Sequence, residues 1–235
     1  MLKNFDLPEL RKSEINSMKA SEAFVKGLPR RFFNEERKIF IVGFHKTGTS
    51  SMGKALQVLG YTVCGSLKEA YDYKNEKQNF NNYLLHKAKP NLNKYDAFQD
   101  TPWFLLYKEL YAMYPNAYFI LTTRDTSSWI KSVQKHFGKG KYKFHDMIYG
   151  SFDSFHNEKR YIDIYEQHNT DVKQFFASRG NFKVLDIDQF NWQELCCFLS
   201  VNEPLWDFPH ANKSSSRGSL LNKLKKFVKD RYYNK

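Results

Sequence analysis

At 235 residues, with 41% apolar and 17% aromatic side chains, the chain can bury one sizeable core, which excludes simple disorder. Thirty-seven Lys and Arg against 25 Asp and Glu leave a net charge of +12, open to three readings: an anionic ligand, a nucleic acid, or a solvated basic surface. Cys64, Cys196 and Cys197 are too few and too oddly placed for a disulfide framework and suit a reducing compartment.

Residues 1–36 read as a basic, helical lead-in. The opening Met1-Leu-Lys-Asn-Phe-Asp-Leu-Pro lacks the apolar region of a signal peptide, and no apolar run reaches bilayer length, so a cytoplasmic protein without a transmembrane segment is expected. Predicted strands cover 38–43, 61–64, 95–99, 117–122 and 182–186. Predicted helices cover 50–59, 103–114, 126–137, 158–179 and 191–199, and the polar stretch 65–93 reads as a helical insertion. Strands alternating with helices predict an α/β protein, a three-layer sandwich with a central parallel sheet. The whole of 1–235 reads as one domain, with its core at 38–212 and a basic C-terminal loop and helix at 213–235. In that tail, apolar residues at helical spacing between lysines fit either packing on the parent domain or weak contact with an anionic membrane surface.

Two stretches carry the chemistry. Gly43-Phe-His-Lys-Thr-Gly-Thr-Ser-Ser51 follows the first strand and opens a helix, with four residues between its glycines as in a Walker A loop. Thr49, however, stands where a Walker lysine would, and the loop's own lysine is Lys46, three residues earlier. The Walker lysine serves the β and γ phosphates of ATP or GTP, so its displacement points to a shorter anionic group. The N–H groups of Thr47 through Ser50 would be unpaired donors at a helix N-terminus, the hydroxyls of Thr49, Ser50 and Ser51 would add to them, and Lys46 would supply a charge. The second stretch, Phe119 to Ser132, runs from a strand into a helix. It places Arg124 at the strand's carboxyl end, where open parallel sheets bind ligands, and Ser132 eight residues on, about two helical turns away.

These residues resemble the PAPS-dependent sulfotransferases, in particular their bacterial and marine branch, which share a P-loop nucleoside triphosphate hydrolase-like fold. The loop at 43–51 looks like the family's 5′-phosphosulfate loop, and Arg124 with Ser132 looks like its 3′-phosphate pair. Ala97-Phe-Gln-Asp-Thr-Pro102, Tyr114 to Leu121 and Phe208-Pro-His-Ala-Asn212 are similar as well. The resemblance implies transfer of a sulfuryl group from 3′-phosphoadenosine 5′-phosphosulfate (PAPS) to a hydroxyl, less readily an amine, of a small-molecule, sugar or lipid acceptor. Adenosine 3′,5′-bisphosphate (PAP) would be the product, and neither a metal nor a nucleic acid would be needed. It implies donor contacts from His45, Lys46, Thr47, Gly48, Thr49, Ser50, Ser51, Arg124 and Ser132, and a catalytic role for Lys46. The other catalytic candidates are His45, which either touches the transferred sulfuryl group or packs against the loop's outer face, and Asp100, a departure from the relatives, whose base after the equivalent strand is a histidine or glutamate.

Asp100 has two roles open to it: a general base, for which burial would have to raise its pKa from about 3.9, or the N-cap of the helix that follows. The glycine-, lysine- and aromatic-rich stretch 137–155, which contains His145, reads either as a lid over the acceptor or as a crossover whose aromatics plug the core. His136 is placed either to reach the acceptor or to complement a helix C-terminus, and Lys213 to Arg217 could close over the 3′-phosphate. The competing readings are an ATP- and Mg²⁺-dependent small-molecule kinase and a non-catalytic phosphate- or nucleic-acid-binding protein.

Overall fold

A computed structural model describes residues 37–71, 73, 79–138, 140, 142–204 and 207–210. The basic lead-in and the C-terminal loop and helix lie outside the described residues. The strands are β1 (Ile39–Ile41), β2 (Val63–Cys64), β3 (Ala97–Phe98), β4 (Tyr118–Thr123) and β5 (Phe182–Asp186). They form one parallel sheet in the order β2-β3-β1-β4-β5. The helices are α1 (Thr49–Val58), α2 (Lys68–Tyr71), α3 (Phe80–Leu92), α4 (Tyr107–Met113), α5 (Thr126–Phe137), α6 (Lys143–Tyr149), α7 (Glu158–Phe176) and α8 (Trp192–Leu199). Short 3₁₀ turns at Trp103–Leu106 and Ile187–Gln189 precede α4 and α8.

The central strands are buried on both faces, so their sequences read as apolar runs and their alternation sorts side chains between two cores. Phe40, Val42, Phe98, Phe119 and Leu121 point to one face and pack with α3, α4, α5 and α7. Ile39, Ile41, Ala97, Ile120 and Leu185 point to the other, beneath Met52, Ala55 and Leu56 of α1 and Trp192, Leu195 and Cys196 of α8. Two helical layers about one sheet make the three-layer sandwich. Phe208 is buried against Trp192, with ring centroids 4.9 Å apart, and extends the second core.

The topology places the site. Through β2 the chain moves to one edge of the sheet, returns through β3 to a place beside β1, then crosses to β4 on β1's other side. That reversal is a topological switch point, and open parallel sheets bind ligands outside the carboxyl ends of the strands flanking such a point. The residues beyond β1, β3 and β4 include Lys46, Asp100 and Arg124.

The sequence expectations need correction in three places. The predicted helix 103–114 begins as a 3₁₀ turn and becomes α-helical only at Tyr107. The stretch 137–155 contains α6, and its Gly150, at φ 64°, is that helix's left-handed C-cap. The predicted strands 61–64 and 95–99 shorten to two ladder residues each.

Candidate active site

The loop after β1 is held by glycines at two points where a side chain would not fit. A Cβ on Gly43 would fall 2.1 Å from Thr122 Oγ1 and 2.2 Å from Thr122 O, so the loop leaves β1 in direct contact with β4. Gly48 has φ 87° and serves as the N-cap of α1 without any side-chain cap. Lys46 also has positive φ, 68°. Left-handed residues within a turn aim successive N–H groups to one side, which makes an anion-binding concavity. Among the described residues, no hydrogen bond is donated by the backbone N–H of Thr47, Gly48, Thr49 or Ser50. Four donors thus converge at the positive end of a ten-residue helix.

Four carbonyl groups in and just before the loop, those of Val42, Phe44, His45 and Lys46, each accept from a side chain. His168 Nε2 bonds Val42 O at 2.8 Å, and Thr47 Oγ1 donates to Phe44 O at 2.6 Å. Trp129 Nε1 donates to His45 O at 3.0 Å, and Arg124 Nη1 to Lys46 O at 3.3 Å. With these carbonyls held, the loop's conformation is fixed before an anion arrives, and little reorganisation opposes binding. The sequence showed the glycines and the lysine, but not His168 or Trp129, which arrive on α7 and α5 through tertiary packing.

Individual residues then take their places. The single proton of the Thr47 hydroxyl goes to Phe44 O, so Thr122 Oγ1, 2.7 Å away, donates to it. Thr47 therefore serves the loop with its side chain and offers an anion its N–H. Thr49 and Ser51 are buried and Ser50 is part-exposed, all at the start of α1. Lys46 is part-buried; burial, and after it the repulsion of Arg124, lower its pKa, while Asp100 raises it. The guanidinium of Arg124 has five N–H donors and uses one on Lys46 O. The hydroxyl of Ser132, two turns along α5, makes no hydrogen bond among the described residues. Asp125 caps α5, accepting from Ser128 N at 2.8 Å and from Ser127 Oγ at 2.7 Å. It is a helix cap and not an ion-pair partner of Arg124.

Asp100 follows β3 with φ 70°, a backbone conformation that costs energy outside glycine. Its carboxylate accepts from the N–H of Thr101 at 2.9 Å, and the turn at Trp103–Leu106 has no side-chain cap. The N-cap alternative therefore fails, because Trp103 N bonds the backbone carbonyl of Asp100 instead. Burial raises the carboxyl's pKa, against the Thr101 N–H, the charge of Lys46 and the Thr101 hydroxyl, which lower it. A raised folded-state value means the folded protein binds that proton more tightly than the unfolded chain does. The resulting stability is present at acid pH and is lost as pH rises through the folded pKa. Asp100→Asn is therefore expected to raise the thermal midpoint at pH 7, with the difference vanishing in acid below the ordinary carboxylate range. Calorimetric melts of both proteins across pH check this.

The histidines divide. His45 is 3% exposed, its ring enclosed by Phe104, Phe137, Trp129 and Tyr149 and stacked on His145 at 5.3 Å between centroids. Its Nε2 shares a hydrogen bond with the Tyr149 hydroxyl at 3.0 Å, while Nδ1 is buried without a partner among the described residues. Burial and the neighbouring His145, Lys46 and His136 hold its pKa well below the usual range, so His45 packs as a neutral ring. Burial takes His145 down to about 4. His136 lies exposed in the last turn of α5, close enough to Lys46 for that charge, after burial, to lower its pKa. His156 is exposed and pairs with Asp153 at 2.7 Å. Of the aromatics in the 137–155 stretch, Phe144 and Tyr149 plug the core, as the crossover reading expected, whereas Tyr142, Phe152 and Phe155 are exposed.

Residues 38–156 and 140–217 match the family described as the sulfotransferase domain, more than half of the chain. The chain belongs to the sulfotransferase family. A curated relative, Ava biosynthesis cluster protein M of Aspergillus versicolor, is 31% identical over 115 residues, covering 41% of this chain and 42% of that protein. The chain thus spans well under half of that relative's length. Among the described residues, no helix of this family member is long and apolar enough to cross a membrane.

Proposed function

We propose that this sulfotransferase takes its sulfuryl group from PAPS and delivers it to a hydroxyl, less readily an amine, of a small acceptor. The observation that carries the reading is the cradle: unpaired N–H groups from Thr47 to Ser50, beside Lys46 and joined to Arg124 through the Lys46 carbonyl. A 5′-phosphosulfate fits donors gathered at a helix N-terminus, and the remaining guanidinium donors of Arg124 fit the 3′-phosphate in bidentate fashion. Ser132, without a competing partner among the described residues, would share that phosphate.

The step runs in line. The acceptor oxygen attacks sulfur as the bond from sulfur to the 5′-phosphate oxygen breaks, and the sulfuryl group passes to the acceptor. Charge then builds on the departing phosphate oxygen, where Lys46 and the fixed N–H groups stabilise it in a partly dry crevice. Asp100, across from Lys46 at the end of β3, accepts the acceptor's proton, and the raised pKa imposed by its burial suits it to that task. The name of the Aspergillus relative places that protein in a biosynthesis cluster, which accords with a small-molecule acceptor here.

The test is incubation with PAPS and a panel of alcohols, phenols, sugars and amines, read by mass spectrometry for the added sulfuryl group. The account expects a sulfated product without added magnesium. It also expects kcat/KM to fall on the acid side as Asp100 takes up a proton, with that limb absent from the residual activity of Asp100→Asn. A phosphorylated product formed from ATP and magnesium instead would reject the reading.

A further inference from the structure

The two anion half-sites stand on different elements, the loop after β1 and the first residue after β4, and one buried pair of rings touches both. Trp129, which donates to His45 O in the loop, stacks on Tyr165 with centroids 4.2 Å apart and planes 9° from parallel. The Tyr165 hydroxyl spans the peptide groups of Arg124: it accepts from Arg124 N at 3.0 Å and donates to Arg124 O at 2.8 Å. Arg124 Nη1 then returns to the loop at Lys46 O, 3.3 Å away. Trp129 is 0% and Tyr165 1% exposed, so solvent cannot replace either ring's hydrogen bonds.

The chemistry of this circuit is specific. Arg124 lies one residue beyond β4, where its N–H and C=O have left the strand ladder. Without the Tyr165 hydroxyl both groups would be left unpaired or would rotate to find partners, and rotation about that backbone swings the guanidinium away from the loop. A phenylalanine would supply the same stack on Trp129 and the same apolar bulk. What the hydroxyl adds is the direction in which Arg124 points. We propose that Tyr165 and Trp129 form a positioning clamp that fixes the Arg124 guanidinium against the loop after β1, and that selectivity for a donor bearing a 3′-phosphate depends on the Tyr165 hydroxyl. This rests on the donor reading given above.

Calorimetric titration with PAP and with adenosine 5′-monophosphate separates the two ideas, because the ligands share the 5′-phosphate and differ only in the 3′-phosphate. Their Kd ratio is internal to each variant, so a general loss of stability does not move it. In Tyr165→Phe the ratio is expected to fall about five- to tenfold while the affinity for the monophosphate changes less than about twofold. In Trp129→Phe, which frees the His45 carbonyl, both ligands are expected to weaken together by about three- to fivefold. A Tyr165→Phe protein that keeps the wild-type ratio overturns the clamp and leaves the donor reading standing. A wild type that binds both ligands alike overturns both. If Tyr165→Phe does not fold, Trp129→Phe decides, and unchanged affinity for the two ligands overturns the clamp.

Discussion

Lys46→Ala is expected to lower turnover of PAPS by about 10²- to 10³-fold, the range seen when one preorganised stabiliser of developing charge is removed. Lys46 is a mobile charge beside the cradle, and the departing phosphate gains its negative charge only as the bond to sulfur breaks. The loss should therefore fall on kcat, with the affinity for PAP reduced by less than about tenfold, because the N–H groups and Arg124 still hold the product. The fold should be spared. An alanine at φ 68° carries no more backbone strain than the lysine it replaces, and a part-buried cation whose pKa burial has lowered adds little to stability. Release of PAP from PAPS, with acceptor or with water in its place, gives the rate. A decrease smaller than about fivefold would remove Lys46 from the transition state.

Gly43→Ala is expected to act on the fold itself. The added methyl would meet Thr122 at Oγ1, O and N, at 2.1, 2.2 and 2.7 Å, and two of these are backbone atoms of β4, fully buried between β1 and β5. Neither strand can yield without breaking ladder bonds, so the loss should reach about 3 kcal/mol, the upper range for overpacking. For a domain of this size that lowers the thermal midpoint by roughly 6–12 °C. The same clash pushes the loop off β4 and breaks the bond from Thr122 Oγ1 to Thr47 Oγ1, so anion affinity should fall with stability. Gly180→Ala is the control, since nothing lies within 4 Å of the added atom. Equal midpoints for the two variants would contradict the close approach of loop and strand.

The layered fold was legible because the central strands are apolar runs ended by glycine or by charge, and because helices such as α5 announce themselves at both ends. Asp125 caps α5 and Gly138 follows it, so its predicted limits, 126–137, coincide with the observed ones. The β5 limits, 182–186, also coincide. The two-residue strands β2 and β3 carry too little pattern to delimit, and α6 was hidden because glycines on either side of it read as punctuation for a loop. At the candidate site, the placement of Lys46 and Arg124 could be read because each sits where a strand gives way to a helix. Asp100 could be found but not assigned: its side chain had a plausible cap role until Trp103 N was seen to bond its backbone carbonyl. His168, Trp129 and Tyr165 left no local signal, because their task is to hold backbone groups 126, 84 and 41 residues away. The positive φ of Lys46 was equally invisible, since lysine does not favour that conformation, and aspartate, though enriched there, adopts it too seldom for Asp100 to announce it.

The most direct test of the donor assignment is calorimetric titration of the wild type and of Arg124→Ala with PAP, ADP and ATP, all without magnesium. The account predicts that the wild type binds PAP at least about tenfold more tightly than ADP, as a charge-assisted contact to the 3′-phosphate requires, and that Arg124→Ala abolishes the difference. Preference for ATP, or equal affinity with and without the 3′-phosphate, would contradict it.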